Sequence, residues 1–277
     1  MSYTAEISRS NPACILFLLD QSGSMNEPFS APNEPAIPKA RGVADAVNRL
    51  ITDLIVRCTQ GDQVRDRFHI GAIAYGQDQA ALAPGFTGLK ALAEVAATPL
   101  RVEERVRESY DGTGGMVKST VRFPVWFDPM AEGNTPMCAA LDLARELLDG
   151  WAQAHPGSHP PIVFNITDGQ ATDGDPAGAL QGIQQVATQD GTALVFNLLL
   201  ADACGTRISY PADSEGVPAG PLRSLIAGSS VLPEVMRLRA SQVLETTLPQ
   251  GARGVVLNAR LLDLIKLLDI GSQPGNA

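Results

Sequence analysis

Ile15-Leu16-Phe17-Leu18-Leu19-Asp20-Gln21-Ser22-Gly23-Ser24-Met25 passes in one step from an unbroken apolar run to a carboxylate, with two hydroxyls following at alternate positions. A strand that is apolar on both faces belongs inside a parallel sheet covered by helices on either side. Open α/β sheets collect their ligands beyond the C-terminal ends of the strands, and Asp20, Ser22 and Ser24 fall there. All three side chains are oxygen donors. One carboxylate plus neutral oxygens suits a hard cation such as Mg²⁺, which keeps several waters and takes few protein carboxylates. The pattern alone is a weak signal, because Ser and Asp are common in loops for capping reasons.

Two further stretches strengthen it. Gly133-Asn134-Thr135-Pro136-Met137 opens a helical pattern, and Ile162-Val163-Phe164-Asn165-Ile166-Thr167-Asp168-Gly169 is a second buried strand ending in an acid. Taken together, the three segments resemble the metal-ion-dependent adhesion site (MIDAS) of von Willebrand factor A (vWA) domains: Asp-x-Ser-x-Ser on one loop, a Thr from a second, an Asp from a third. The resemblance covers roughly residues 12–245. It implies that Asp20, Ser22, Ser24, Thr135 and Asp168 serve a Mg²⁺ ion, with Mn²⁺ or Ca²⁺ as alternatives. Thr135 would bind directly or through water, and Asp168 through water. A Glu or Asp of a protein partner would take the open coordination place. Leu-Asp-x-Ser-Gly-Ser-Met, Gly-Asn-Thr-Pro-Met and Thr-Asp-Gly also resemble stand-alone bacterial vWA proteins associated with tellurite resistance. That likeness implies a non-enzymatic adaptor working beside kinases, phosphatases or AAA+ ATPases in stress response or defence.

Composition narrows the partners. The 277 residues carry 30 Asp+Glu against 21 Lys+Arg, a net charge of −9. Phosphate binding needs clustered Lys and Arg, and no basic run exists, so nucleic acid is disfavoured. The hydrophobic fraction of 44% supports a full core. Cys14, Cys58, Cys138 and Cys204 show no metal-knuckle spacing. The first three lie in apolar patterns as small hydrophobes, which favours a reduced, cytoplasmic chain without disulfides. Residues 1–12 lack the apolar region of a signal peptide, and no stretch approaches the ~20 apolar residues of a membrane span.

Alternating buried strands and amphipathic helices predict a doubly wound, Rossmann-like α/β fold with a mostly parallel sheet, within one vWA-like domain over 1–277. Val43, Val47, Leu50, Ile51, Leu54 and Cys58 recur at helical spacing, so a helix runs from about Lys39 to Thr59. Four prolines in residues 26–38 hold off that helix and leave an extra loop, read as a surface connector or as a lid able to bring Glu27 or Glu34 to the metal. Residues 100–128 combine mixed charges (Arg101, Glu103, Glu104, Arg105, Arg107, Glu108), a glycine-rich turn and β-rich alternation. They read as an inserted hairpin that extends the sheet edge or presents a partner surface. Glu and Arg also permit a helix over 100–109. Asp173 and Asp175 read as turn and cap residues. His155 and His159 lie four apart, but Pro156, Gly157 and Pro160 argue against the helix that a zinc pair needs. Further helices are expected over 176–188, 233–245 and about 258–270, with a last strand at 229–232.

An enzymatic alternative is a metal-dependent hydrolase or phosphatase with Asp20 as nucleophile. Phosphatases of the haloacid-dehalogenase type need a second Asp where Ser22 stands, and no lysine lies close in sequence to the loops. Ser22 lacks the nucleophile-elbow pattern. A third reading is self-association, with Glu27, Glu34 or an acid from a second copy filling the ion's open place.

Overall fold

A computed structural model describes residues 3–29, 36–110, 116–200, 207–215 and 220–271. In chain order the main elements are β1 (Ala13–Asp20), α1 (Lys39–Cys58), β2 (Phe68–Gly76), β3 (Gln79–Leu82), β4 (Lys90–Ala91) and α2 (Leu92–Ala97). There follow β5 (Arg101–Tyr110), β6 (Met116–Val125), α3 (Met137–Ala154), β7 (Ile162–Thr167), α4 (Ala177–Ile183) and β8 (Leu194–Leu200). The chain closes with β9 (Ile208–Ser209), α5 (Pro221–Ala227), α6 (Glu234–Val243), β10 (Val255–Ala259) and α7 (Leu261–Gly271).

One 8-stranded sheet organises the molecule, in the order β9-β10-β8-β7-β1-β2-β3, with β4 also on β2. The pairs β10–β8, β8–β7, β7–β1 and β1–β2 are parallel, and the short edge strands are antiparallel. The fold is therefore a doubly wound α/β sheet. Chain order reverses between β1 and β7, which makes their C-terminal ends the topological switch point where such sheets bind ligands. Asp20 closes β1, and Asp168 follows β7 directly.

Period-2 alternation divides β1 between two cores. Ile15, Phe17 and Leu19 face α1 and α7, in a cluster with Val47, Ile51, Leu264 and Leu267. Leu16 and Leu18 face α3 and α4, with Met137, Leu141, Leu148, Leu180 and Ile183. Helix α1 begins at Lys39, as the proline-rich loop requires, and the apolar face predicted for it is buried. Helix α7 packs by Leu264, Leu267, Leu268 and Ile270 into the first core, leaving Leu262 exposed.

The inserted hairpin is present as β5 and β6, paired antiparallel from Arg101↔Val125 to Tyr110↔Met116. The helical alternative for 100–109 does not form. Nor does the hairpin extend the main sheet; it is a separate 2-stranded unit. Its base is fixed to α1. The Arg105 guanidinium lies 3.7 Å from the Phe123 ring centroid and reaches Asp45 of α1 at 3.0 Å. Buried Asn48 accepts from the backbone N–H groups of Trp126 and Phe127 and donates to the Phe127 carbonyl. The hairpin's glycine-rich turn lies outside the described residues, as do Glu34 and Cys204.

Two further expectations are corrected, and the segment holding His155 and His159 is non-helical, as its prolines require. The last strand is β10, not 229–232, which contributes only the bridge Val231↔Arg253. Strand β10 lies past the stretch that carries the vWA resemblance. Its signal, Val255-Val256-Leu257 after Gly254, is short and sits among polar turns. Helix α4 stops at Ile183, since Gly178 and Gly182 weaken it, and Ala187–Thr188 turns back on Gly191–Thr192 as a small antiparallel pair. His155 and His159 do not meet. The His155 ring lies 5.0 Å from that of His69 and 4.8 Å from Trp151, while His159 is buried with its Nδ1 on the Pro160 carbonyl at 2.8 Å.

Candidate metal centre

The apolar run of β1 drives Asp20 into the end of the sheet, where it is 2% exposed. Both of its oxygens are engaged: the Ser22 backbone N–H donates to Oδ1 at 2.8 Å, and the Thr167 hydroxyl donates to Oδ2. Burial pushes the Asp20 carboxyl above its ordinary pKa, the hydrogen bonds from Thr167 and Ser22 pull it back, and neighbouring Asp168 raises it again. A buried acid held in this state favours a cation beside it.

The chain then bends through a 3-10 turn, Gly23–Asn26. The Gly23 N–H donates to the Gly133 carbonyl at 2.9 Å, and a Cβ on Gly23 would stand 3.6 Å from that oxygen. This contact joins the first loop to the one carrying Thr135. Gly133 itself has φ +76° and lies so close to Gln77 that an added Cβ would overlap the Gln77 backbone at 2.7 Å, so only glycine fits. The Ser22 and Ser24 hydroxyl oxygens are 3.2 Å apart, and Ser24 donates to Asp168 Oδ1 at 2.7 Å. Thr135 is buried; its N–H donates to the Thr172 hydroxyl, and its own hydroxyl lies 3.9 Å from the place a Cβ of Gly169 would take. The five residues singled out in the sequence thus stand on three loops that converge at the switch point.

These spacings supply a test of fit. Neighbouring oxygens around an octahedral Mg²⁺, bonded at about 2.1 Å, lie about 3 Å apart. The Ser22–Ser24 separation of 3.2 Å is compatible with that value, while Ser24 and Asp168 at 2.7 Å are hydrogen-bonded to each other. Among the described residues, no group of three or more His, Cys, Asp and Glu could hold a metal. The donor set is instead hydroxyl-rich with two carboxylates, a combination suited to a hard ion that retains water.

One participant escaped the sequence reading. Lys39, the first residue of α1, has a side chain only 3% exposed, and its Nζ donates to Asp168 Oδ2 and to Glu27 Oε2, both at 2.8 Å. Burial opposes its charged form, but hydrogen bonds to Asp168 and Glu27 overcome that and hold the ammonium above its ordinary pKa. A lysine at the start of an amphipathic helix gives no hint of this in sequence. Asp173 accepts from the Cys138 and Ala139 N–H groups, capping α3 from a different loop and steadying the helix that follows Thr135. Asp175 caps its own helix through the Ala177 N–H.

Behind the site runs a buried polar chain across the sheet. Tyr75, opposite Asp20 in register, donates to Asn165 Oδ1 at 2.8 Å. Asn165 donates to Asn197 at 2.9 Å, Asn197 to Ser229 at 2.9 Å, and Ser229 to the Leu225 carbonyl of α5.

No family model and no curated protein matches the chain. Among solved structures, it is similar to the SpRpn10 VWA domain at 9% identity, over 95% of this chain and 98% of that one, with a TM-score of 0.49. It is similar to the vWF domain of the type V pili tip protein Mfa5 of Porphyromonas gingivalis at 12% identity, over 58% of this chain, TM-score 0.35. It is also similar to the pilus adhesin SpaC of Lactobacillus rhamnosus GG at 13% identity, over 79% of this chain, TM-score 0.43. The chain spans 39% of the Mfa5 structure's length and 27% of SpaC's. No described helix is long and apolar enough to cross a membrane.

Proposed function

We propose that this chain is a metal-dependent protein-binding module of the vWA type, without enzymatic activity. Asp20, Ser22, Ser24 and Thr135 would hold a divalent cation, Mg²⁺ by preference with Mn²⁺ or Ca²⁺ able to replace it, and Asp168 would support it from the third loop. The bound ion supplies a Lewis-acidic place for an Asp or Glu of a partner protein. One observation carries the reading: two loops bring the Ser22, Ser24 and Asp168 side-chain oxygens within 3.2 Å of their neighbours at the switch point, and the loop of Thr135 is tied to the first through Gly23 and Gly133. Thr135 and the start of α3 lie beside them, and a helix N-terminus favours an incoming anion. An acidic chain needs such an ion to attract a carboxylate, because the local charge outweighs the global one. The sequence motifs support a cytoplasmic adaptor in a bacterial stress or defence system, with a kinase, phosphatase or AAA+ ATPase as partner.

The hydrolase reading gains a nearby lysine, but Lys39 is already bound to two carboxylates, and Ser22 remains where that chemistry needs an acid. The deciding experiment is Asp20→Ala. It should lower Mn²⁺ affinity by at least a hundredfold and abolish Mg²⁺-dependent partner capture, with the far-ultraviolet circular dichroism unchanged. Capture of the same partner by the variant, or in chelator, would sink the proposal. Turnover of a phosphatase panel in Mg²⁺, lost in Asp20→Asn, would replace it with the hydrolase.

A further inference from the structure

We propose that Lys39 is a built-in counter-cation that weakens the site's hold on its metal so that an outside carboxylate can bind. The inference rests on the metal reading above and concerns how that site is tuned.

Asp168 ties Lys39 to the site. Its side chain is fully covered, and its two oxygens are divided between two donors, the Ser24 hydroxyl on Oδ1 and the Lys39 ammonium on Oδ2. Lys39 is covered nearly as well and makes its second bond to Glu27, whose side chain is 58% exposed. A buried ammonium is expensive unless paired, and here it is paired on both sides. Asp168 and Glu27 pair directly with this one fixed positive charge, and Asp20, beside Asp168, adds a third carboxylate to the cluster. The remainder is two negative charges, which a divalent ion balances.

This balance decides what an arriving anion meets. With Lys39 in place, the loaded site is close to neutral, and the ion's open coordination place can attract an acid group. Without it, the loaded site keeps an excess negative charge and repels that group. The same change acts oppositely on the metal, since loss of a nearby positive charge strengthens cation binding. Lys39 thus exchanges metal affinity for carboxylate capture. A merely mechanical role, with Lys39 stapling the loops of Glu27 and Asp168, gives the opposite sign: removing it would loosen the site and weaken the metal.

The test is a Mn²⁺ titration of the full chain, followed by the loss of the free-ion electron paramagnetic resonance signal. Lys39→Met should bind Mn²⁺ at least tenfold more tightly than wild type, and Lys39→Arg should stay within about threefold of it. Glu27→Gln, at an exposed side chain that does not threaten folding, should bind Mn²⁺ severalfold more weakly. A folded Lys39→Met with unchanged or weaker Mn²⁺ binding overturns the inference. If that variant does not fold, Lys39→Gln, which keeps a donor for Asp168 without the charge, takes its place: tighter Mn²⁺ binding supports the inference, and unchanged or weaker binding overturns it. A wild-type chain lacking Asp20-dependent Mn²⁺ binding removes the metal reading itself, whereas normal wild-type binding with the wrong response at position 39 removes only the role of Lys39.

Discussion

At the C-terminal end of the strands, Asp20, Ser22, Ser24 and Asp168 share hydrogen bonds across loops, with charged Lys39 buried among them. At the opposite end, where β2 begins and α3 stops, His69, Trp151 and His155 pack ring against ring, and Trp151 Nε1 donates to His69 Nδ1 at 2.9 Å. Both ends bury ionisable groups. In one, hydrogen bonds to Asp168 and Glu27 favour the charged form of Lys39, while in the other partial burial disfavours the charged form of the imidazoles. Burial pushes the His69 pKa down, with His155 adding to the effect, and burial lowers that of His155 too. The contrast shows two forms of buried polarity in this sheet: a cluster of paired charges at the loop end, and an imidazole–indole cluster at the other.

The polar chain from Tyr75 to Ser229 lies between the two ends and gives the sharpest way to break the comparison. Asn165→Leu would leave the Tyr75 hydroxyl and one side of Asn197 buried without their partners. Each unsatisfied group costs on the order of 1–3 kcal/mol, so a loss of about 3 kcal/mol is expected. Urea unfolding should show a lower midpoint at unchanged slope. A loss under about 0.5 kcal/mol would mean that the chain is not a structural tie behind the site.

The parts of this architecture legible in sequence are those with strong periodicity. Strand β1, helix α1 and helix α3 announce themselves because their apolar residues repeat at the period of the element that buries them. The site loops are legible for the same reason, since each follows such an element. What escaped depends on distance in space. Lys39 and Asp168 are far apart in the chain and meet only because α1 starts beneath the β7 loop. Asp173 reads as a turn and cap residue, but that the helix it caps is α3, from another loop, shows only in space. Strand β10 is five residues among polar turns, too short for its period to show. Asn165 and Asn197 did carry a readable signal, as polar residues within otherwise apolar strands, directly opposed in register.

Acid should distinguish the two ends by sign. All three histidines have pKa values lowered by burial, His159 despite its bond to the Pro160 carbonyl. A histidine whose folded pKa is depressed binds fewer protons folded than unfolded below about pH 6.5, so its contribution to stability is complete above that value and is lost as pH falls. His69 and His155 are partly exposed, and solvent screening discounts them. The expected loss from about pH 7.5 to 5 is therefore on the order of 1 kcal/mol, carried mainly by buried His159. Urea midpoints across that range check it, and His159→Gln should flatten the decline. A protein whose stability rises on acidification through this window would contradict the neutral packing of the far end.

The smallest effect tests whether the candidate metal site is held from outside its own donor set. Asp173→Ala removes the acceptor for two N–H groups in the first turn of α3 and a negative charge at that helix N-terminus, at a cost of about 0.5–1 kcal/mol. Because the cap lies on the loop after Asp168 while the helix follows Thr135, the substitution removes one tie between those loops and leaves the hydrogen bonds between Thr135 and Thr172 as the other. Mn²⁺ affinity should fall about threefold, for a loss of about 0.6 kcal/mol at RT ≈ 0.59 kcal/mol. Asp173→Asn, which keeps one acceptor, should recover part of it. Equal stability and equal Mn²⁺ affinity in Asp173→Ala would show that Thr135 is placed without the Asp173 cap. Then the Thr172 tie and the pairing of charges around Lys39 would be what hold the third loop in position.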